Sequence, residues 1–265
     1  MAKAIVLTGY GINCEEETAY AFKKAGAEAE IVHVNDLIAS PGMLSQSQIL
    51  AFPGGFSYGD DTGSGNALAN KIRNKIWEEL VDFIEAEKLI IGICNGFQVV
   101  ANLGILPGIE NRKPQRAVAL ARNNSARYEC RWVSLKPFSS KCVFTKGIES
   151  ISLPVAHGEG KFTASPKTLK ELNDLGQIAF RYVKGEELAK GEFPFNSNGS
   201  QEDIAGICDK SGRILGMMPH PERNIFFTQQ PDWTLQREKM RRMNKEIPEE
   251  SAGLKIFKNA VEYFR

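Results

Sequence analysis

The run LIIGICNGFQVVANLG at residues 89–104 places a cysteine between two glycines, where an apolar, β-favouring stretch becomes a helical pattern. Gly92, Cys94 and Gly96 have the spacing of the nucleophile elbow, G-x-S-x-G, with sulfur in place of the hydroxyl. Such a turn needs small flanking residues because neighbouring backbone passes close by, and the start of the following helix favours a thiolate. The alternative is a small buried thiol at the end of a core strand, the fate of most free cysteines.

A thiol nucleophile needs a base, and the chain has three histidines. His33 lies in an alternating strand pattern, which favours a structural or solvent-facing role. His220 lies between two prolines in MPHPE, and Glu222 follows at a spacing that could orient its imidazole. A surface loop with an incidental ion pair is the alternative. A zinc deaminase also carries H-x-E, but it needs a downstream P-C-x-x-C, and no cysteine follows Cys208.

A second glycine cluster, FPGGFSYGDD at residues 52–61, follows another predicted strand. Gly54, Gly55 and Phe56 stand at its centre, and their backbone N–H groups are expected at the same sheet edge as Cys94, where an oxyanion needs stabilising. A tight loop is the alternative, since glycines serve that purpose equally well. The sequence contains no G-x-x-x-x-G-K-[ST] phosphate loop, so no ATP site is predicted in this chain.

The elements that must position these residues follow a β-α-β order. Four strand-like runs and two helical segments alternate over the first 94 residues, namely KAIVLTGYG, EEETAYAFKKAG, EAEIVHVNDL, ILAFPGG, residues 66–87 and LIIGIC. After residue 114 come shorter strand-like pieces, RAVALARN, YECRWVSL, KCVFTKG, QIAFRYV and a hairpin in DIAGICDKSGRILGMMPHPE, and then two helical segments, TLQREKMRRMNKE and AGLKIFKNAVEYF. We therefore predict a single α/β domain over residues 1–265. Its sheet is open, mostly parallel and flavodoxin-like, with helices on both faces and an antiparallel edge extension.

Composition excludes several classes of protein. With 33 basic and 32 acidic residues, the net charge of +1 provides no field for nucleic acid or an anionic membrane. No apolar run reaches the roughly 18–20 residues of a bilayer-spanning helix, and no signal peptide is predicted, so a cytoplasmic location is expected. The five cysteines are odd in number and form no C-x-x-C pair, which argues against a disulfide framework and against a zinc ribbon, and no metal site is predicted.

Taken together, the motifs resemble the class I, or triad-type, glutamine amidotransferases. GICNGFQ and MPHPE are similar to the nucleophile and His-x-Glu motifs of that family. More narrowly, the chain resembles the glutaminase subunits of phosphoribosylformylglycinamidine synthase, an enzyme of purine biosynthesis. The blocks that carry this closer likeness are GINCEEET, FPGGFSYGDD, Asn95 and Phe97 after the nucleophile, VAHGEGKF and HPERN.

The resemblance implies a triad of Cys94, His220 and Glu222 that releases ammonia from glutamine through a thioester. It also implies that backbone N–H groups around Gly55 and Asn95 stabilise the oxyanion. Glutamine-binding elements are expected at Gln98, His157 and Glu159, the last two in the AHGEG loop.

The resemblance further implies a division of labour between chains. Ammonia is expected to pass to a separate, larger synthetase subunit that uses ATP and Mg²⁺ to amidate formylglycinamide ribonucleotide, so no cofactor is expected in this chain. A small third subunit that bridges the complex is a further expected partner.

Three alternatives remain open on the residues alone. An intracellular cysteine hydrolase could use the same elbow, although such proteins usually place histidine where Asn95 stands. A non-enzymatic regulator could keep the fold, although the intact Cys, His and Glu set argues against it. Another class I glutaminase is the third, and CNGFQ together with GGFSYGD disfavours it.

Overall fold

The computed structural model describes all 265 residues, and its main feature is one large mixed sheet. The strands are β1 (Lys3–Thr8), β2 (Glu28–His33), β3 (Ile49–Phe52), β4 (Leu89–Ile93), β5 (Val118–Ala121), β6 (Glu129–Pro137), β7 (Ile151–His157), β8 (Lys161–Ala164), β9 (Ile178–Lys184), β10 (Glu187–Leu188), β11 (Ile204–Cys208) and β12 (Ile214–Met217). The helices are α1 (Glu15–Lys24), α2 (Val34–Ala39), α3 (Met43–Gln46), α4 (Asn66–Glu85), α5 (Asn95–Leu103), α6 (Pro166–Asp174), α7 (Trp233–Arg242) and α8 (Gly253–Glu262).

One half of the sheet is parallel, with the strand order β2-β1-β3-β4-β12. This is the flavodoxin-like order predicted from the β-α-β pattern. Every residue of β3 and β4 is buried, because helices cover both faces of these central strands. The carboxyl ends of β3, β4 and β12 meet at one edge, so the loops that carry Gly54, Cys94 and His220 start side by side.

The other half is antiparallel and continues the order as β12-β11-β9-β6-β7, with β10 paired to β9. The predicted open sheet with an antiparallel extension is therefore confirmed. The predicted hairpin around residues 210–212 joins β11 to β12. Strand β7 carries Pro154 without disrupting the sheet, because it lies at the edge.

For two pieces of the predicted extension the expectation is wrong, in the placement of the first and in the structure of the second. RAVALARN forms β5, but β5 pairs with β8 in a separate two-stranded sheet. KCVFTKG forms a 3-10 turn at Val143–Thr145 instead of a strand. In that segment the Ser139 hydroxyl accepts hydrogen bonds from the N–H groups of Lys141 and Cys142, which turns the chain locally.

The helices pack on both faces of the sheet as their apolar stripes require. The apolar stripe of α4 is buried, with Leu68, Ile72, Ile76, Leu80 and Phe83 all in the core. By contrast, α7 buries none of its residues and remains a solvated helix. No helix of the protein combines the length and the apolar character that crossing a membrane demands.

Candidate active site

The nucleophile elbow forms between β4 and α5. Cys94 has φ 53° and ψ −109°, a strained conformation that persists only where the surroundings enforce it. A β-carbon at Gly96 would lie 1.8 Å from the carbonyl oxygen of Phe52, and one at Gly92 would lie 2.6 Å from the carbonyl oxygen of Gly96. Both flanking positions therefore require glycine, as the steric argument from the sequence predicted.

His220 and Glu222 form a buried pair after β12. The Nδ1–H of His220 donates to Oε1 of Glu222 at 2.6 Å, and both side chains are almost fully enclosed. The backbone N–H of His220 donates to the carbonyl oxygen of Pro154 at 2.9 Å, which fixes the turn. Burial by itself would lower the pKa of His220, but the Glu222 carboxylate and the Cys94 thiolate together hold that pKa well above its ordinary value. The imidazole is therefore set up to carry a proton.

Two of the predicted triad residues, Cys94 and His220, meet around Gly54 at the end of β3, and Glu222 joins them through its bond to His220. A β-carbon at Gly54 would lie 2.8 Å from Cε1 of His220 and 3.5 Å from Cβ of Cys94. Because Gly54 has no side chain, the imidazole and the thiol can approach each other over its backbone. The thiol of Cys94 also lies 3.5 Å from the carbonyl oxygen of Ala156, at the end of β7.

The N–H groups of the glycine cluster beside the nucleophile differ in their partners. The N–H of Gly55 donates to no protein acceptor, whereas the N–H of Phe56 is already bonded to the carbonyl oxygen of Gly11 at 2.7 Å. Asn95 is the first residue of α5, so its N–H has no acceptor within the helix. Gly55 and Asn95 thus each present a donor without a protein acceptor. The carbonyl oxygen of Gly54 accepts from the segment that precedes α1, which anchors this loop.

The side chains of Asn95 and Gln98 join the loops around the site. Oδ1 of Asn95 accepts from the N–H of Ser57 at 3.1 Å, and its Nδ2 donates to Oε1 of Gln98 at 2.9 Å. The amide of Gln98 in turn donates to the backbone oxygen of Glu159. The Glu159 carboxylate accepts from the Ser64 hydroxyl at 2.6 Å. Three of the predicted positions, Asn95, Gln98 and Glu159, are therefore joined by hydrogen bonds beside the glycine cluster.

His157 is buried beneath the AHGEG loop. Its Nδ1–H donates to Oδ1 of Asn123 at 3.1 Å, and the side-chain amide of Asn123 donates back to the carbonyl oxygen of His157 at 2.8 Å. Burial lowers the pKa of His157 to about 4, so the ring is neutral at neutral pH. The neutral ring of His157 is thus bonded to Asn123 at the start of the loop that carries Glu159.

Comparison with known proteins places this arrangement in a family. Residues 1–264 match the model of the CobB/CobQ-like glutamine amidotransferase domain. A protein of Methanococcus maripaludis called phosphoribosylformylglycinamidine synthase subunit PurQ is 54% identical over 264 residues, covering 99% of this chain and 97% of the relative. The chain belongs to the PurQ family of glutamine amidotransferases. The family predicted from GICNGFQ and MPHPE is therefore confirmed.

Other members of the PurQ family agree with this assignment. A protein of the same name from Dehalococcoides mccartyi is 47% identical over 265 residues, covering 99% of this chain and 98% of the relative. A chain from the solved structure of PurLQS of Thermotoga maritima is 29% identical with a TM-score of 0.73, covering 100% of this chain and 99% of that one. The likeness therefore extends over the whole fold.

The structure adds two residues to this PurQ-family site that the sequence reasoning did not assign. Cys14 lies beside His220, and its sulfur accepts from the Arg223 guanidinium at 3.0 Å. Asp60 accepts from the Asn95 amide at 3.2 Å, and its Oδ2 lies 3.0 Å from the oxygen of the Ser64 hydroxyl, which donates its proton to Glu159. Cys14 lies in GINCEEET and Asp60 in FPGGFSYGDD. Both blocks carried the resemblance to the family, but the sequence predicted no function for these two side chains. Their proximity to the triad is set by the sheet edge, which spacing along the chain does not reveal.

Proposed function

We propose that this chain is the glutaminase subunit of phosphoribosylformylglycinamidine synthase and that Cys94, His220 and Glu222 are its catalytic residues. Its reaction converts glutamine and water to glutamate and ammonia, and the complex uses the ammonia to turn formylglycinamide ribonucleotide into formylglycinamidine ribonucleotide in purine biosynthesis. The observation that carries the assignment of residues is the enclosed His220–Glu222 pair, which meets the elbow cysteine over the backbone of Gly54.

The first half of the reaction forms a thioester. The Cys94 thiolate attacks the side-chain amide carbon of glutamine, and the carbonyl π electrons move to oxygen. The protonated His220 then donates its proton to the amide nitrogen, so that ammonia leaves and the carbonyl re-forms. A raised pKa suits His220 to this step, because the imidazole holds the proton until the leaving group needs it.

The second half releases glutamate. Neutral His220 accepts a proton from water, the resulting hydroxide adds to the thioester carbon, and the Cys94 thiolate departs as the carbonyl re-forms. Glu222 keeps Nδ1 protonated throughout, so that Nε2 is the nitrogen that exchanges the proton. Both tetrahedral intermediates place negative charge near the N–H groups of Gly55 and Asn95, and one such donor is typically worth about 10²–10³ in turnover.

Glutamine is proposed to lie along the wall built by Gly54, Gly55, Phe56, Asn95, Gln98 and Glu159, with His157 supporting the loop from below. The exposed ring of Phe56 stands at the mouth of the site. The cluster of Asp60, Ser64 and Glu159 supplies acceptors near this wall, which suits the recognition of an ammonium group.

The proposed assembly includes a larger synthetase subunit, which would bind ATP and Mg²⁺ and use the ammonia. The names of the relatives as subunits of a synthase, and the solved structure described as PurLQS, support a multi-subunit enzyme. A small bridging subunit is the second proposed partner. We treat residues 1–265 as one catalytic unit of this assembly and place it in the cytoplasm.

Replacement of the nucleophile tests the proposal. In the assembled complex, Cys94→Ala should lower glutamine-dependent amidation by roughly 10⁴-fold or more, because the thioester cannot form. Amidation with added ammonia should remain, since that step needs only the partner. The glutamine analogue 6-diazo-5-oxo-norleucine should add its mass to the Cys94 peptide of the wild-type protein.

The matched control is Cys130→Ala, which removes an exposed thiol on β6 and should keep both activities. Loss of the ammonia-dependent rate in Cys94→Ala would show that Cys94 is needed for structure, and retention of the glutamine-dependent rate would exclude it as the nucleophile.

A further inference from the structure

A second buried sulfur lies beside the catalytic imidazole and has no part in the mechanism above. Cys14 is 1% exposed, and its sulfur lies within 4.8 Å of the ligand atoms of both His220 and Glu222. The backbone N–H of Cys14 donates to the carbonyl oxygen of Gly54 at 3.2 Å, which fixes this residue at the end of β3. A β-carbon at Gly54 would lie 3.0 Å from that sulfur and 2.8 Å from Cε1 of His220. The sulfur and the ring therefore converge on one point above Gly54.

The hydrogen bonds of Cys14 hold its sulfur in place. Its S–H donates to Oδ1 of Asn13 at 3.2 Å, and the Arg223 guanidinium donates to the sulfur at 3.0 Å. Arg223 is itself held, because its Nε–H donates to Oε1 of Glu17, in the first turn of α1, at 3.4 Å. A thiol sulfur is a weak acceptor with two lone pairs, so one lone pair remains for another donor.

The ring of His220 has a donor that needs such an acceptor. Nδ1 is held by Glu222, whereas Nε2 is buried and no protein group forms a hydrogen bond with it. Both nitrogens of an imidazolium carry hydrogen, and a buried N–H without an acceptor is costly. Burial lowers the pKa of His220, whereas Glu222, Cys94 and then Cys14 raise it. The sulfur of Cys14 therefore favours the charged ring.

We propose that Cys14 is a positioning residue for His220. Its sulfur accepts the Nε2–H of the imidazolium while glutamine is absent, and this keeps the ring from turning about its bond to Glu222. When glutamine enters, the amide nitrogen of the substrate takes the proton, which a weak acceptor such as sulfur releases readily. The role rests on the proposed glutaminase function, because it concerns the proton that His220 transfers.

Removal of the sulfur tests the proposal in the assembled complex. Cys14→Ala should lower kcat for glutamine-dependent amidation about tenfold, the loss expected when one hydrogen bond to a charged group is removed. The KM for glutamine should not change, because the substitution alters His220 and not the glutamine pocket. Cys14→Ser supplies a hydroxyl acceptor at the same position and should recover most of the rate. Ammonia-dependent amidation should be equal in all three proteins.

The pKa of His220 is a second measurement and needs no enzyme activity. The chain has three histidines, so NMR titration of the full chain can follow each ring, with the His220 signal assigned by its loss in His220→Gln. The pKa should fall in Cys14→Ala and return towards the wild-type value in Cys14→Ser. The other titratable and charged groups around the ring are unchanged in these variants, namely Cys94, Glu222, Arg223, His157 and Tyr128.

The matched control is Cys208→Ala, which removes another fully buried thiol. Cys208 pairs with Leu215 towards the start of β12, whereas His220 follows the end of that strand. This variant should keep the wild-type kcat and the wild-type pKa of His220. Circular dichroism checks that each variant is folded.

A folded Cys14→Ala protein with the wild-type kcat and the wild-type pKa of His220 would overturn the proposal. Equal losses of kcat in Cys14→Ala and Cys14→Ser with an unchanged pKa would also overturn it, because Cys14 would then contribute only packing. A loss of the same size in Cys208→Ala would have the same meaning. If the pKa of His220 responds as expected but the wild-type complex hydrolyses no glutamine, the proposed function alone is contradicted.

Discussion

His220 has two ring nitrogens in different surroundings, and this difference sets the chemistry of the site. Nδ1 is bonded to a carboxylate that is shielded from water, whereas Nε2 is enclosed without a partner. Carboxylate and thiolate together favour the imidazolium strongly enough to outweigh the effect of burial. The surroundings of His220 therefore favour a protonated imidazole beside Cys94 before glutamine enters.

The substitution Glu222→Gln tests that design at the residue scale. Glutamine keeps the shape but removes the charge, so the pKa of His220 should fall and the imidazolium should persist only at lower pH. We expect glutamine-dependent turnover to fall by about 10²–10⁴, the range for a misdirected general acid and base. The pH dependence of Cys94 alkylation by 6-diazo-5-oxo-norleucine should shift to lower pH.

Glu16→Gln removes an exposed carboxylate from α1 and should leave rate and pH profile unchanged. If Glu222→Gln kept the wild-type pH dependence of Cys94 alkylation, the charge of the Glu222 carboxylate would have no effect and the side chain would contribute only packing. Rescue by Glu222→Asp of part of the rate, with the raised pKa restored, would support the electrostatic role.

At the scale of elements, the site is the product of three strand ends. The loops after β3, β4 and β12 deliver Gly54, Cys94 and His220 to one edge of the sheet. The sequence was sufficient to predict this arrangement, because buried parallel strands appear as short apolar runs and their order follows from β-α-β connections. The prolines around His220 and the glycines around Cys94 marked the turns.

Elements whose position depends on distant partners could not be predicted in the same way. The sequence predicted a strand at β5. Its partner β8 lies about 40 residues further along the chain, and the local sequence of β5 does not determine that pairing. Strand β7 was missed because Pro154 argues against a strand unless that strand is known to lie at an edge. Cys14 was not predicted as a site residue, because it is distant from His220 in the sequence and only the folded sheet brings the two together.

Helix α6 was missed although a local signal was present. Ser165 caps the helix by accepting from the N–H of Thr168 at 3.1 Å, and Pro166 occupies the first turn. Serine followed by proline is a standard start signal for a helix. The start of α6 is therefore encoded locally and could have been predicted from Ser165 and Pro166 alone.

The end of β3 provides a prediction at the scale of elements. Gly54→Ala places a β-carbon 2.8 Å from Cε1 of His220 and 3.0 Å from the sulfur of Cys14, so the imidazole must move. A displacement of about 1 Å in a catalytic group can cost 10²-fold in rate, and we expect a loss of that size in glutamine-dependent turnover. Steady-state kinetics of the assembled complex measure it.

The matched control is Gly158→Ala in the AHGEG loop, where an added β-carbon meets no heavy atom within 4 Å. This variant should retain near-wild-type turnover, because the same change is made without a contact to the triad. If Gly54→Ala had wild-type kinetics, the position of the His220 imidazole would not depend on the absence of a side chain at Gly54.

At the scale of the whole molecule, the buried neutral His157 links global stability to pH. Its ring is 2% exposed and is held by Asn123 between the end of β7 and the loop that follows. Its pKa is about 4 in the folded protein, against about 6.5 for an unperturbed histidine in the unfolded chain. Between these pH values the unfolded chain binds a proton that the folded chain does not, so acidification favours unfolding.

The free energy of unfolding should therefore fall as the pH drops from about 6.5 towards 4. From pH 7 to pH 5 the contribution of His157 is about 2 kcal/mol, taking 1.36 kcal/mol for each pKa unit. Urea denaturation of wild type and His157→Gln at both pH values measures it. The variant is expected to be less stable at pH 7 because it loses ring packing, so the quantity compared is the change with pH. That change should be about 2 kcal/mol smaller in His157→Gln, and parallel pH dependences in the two proteins would contradict a buried neutral imidazole.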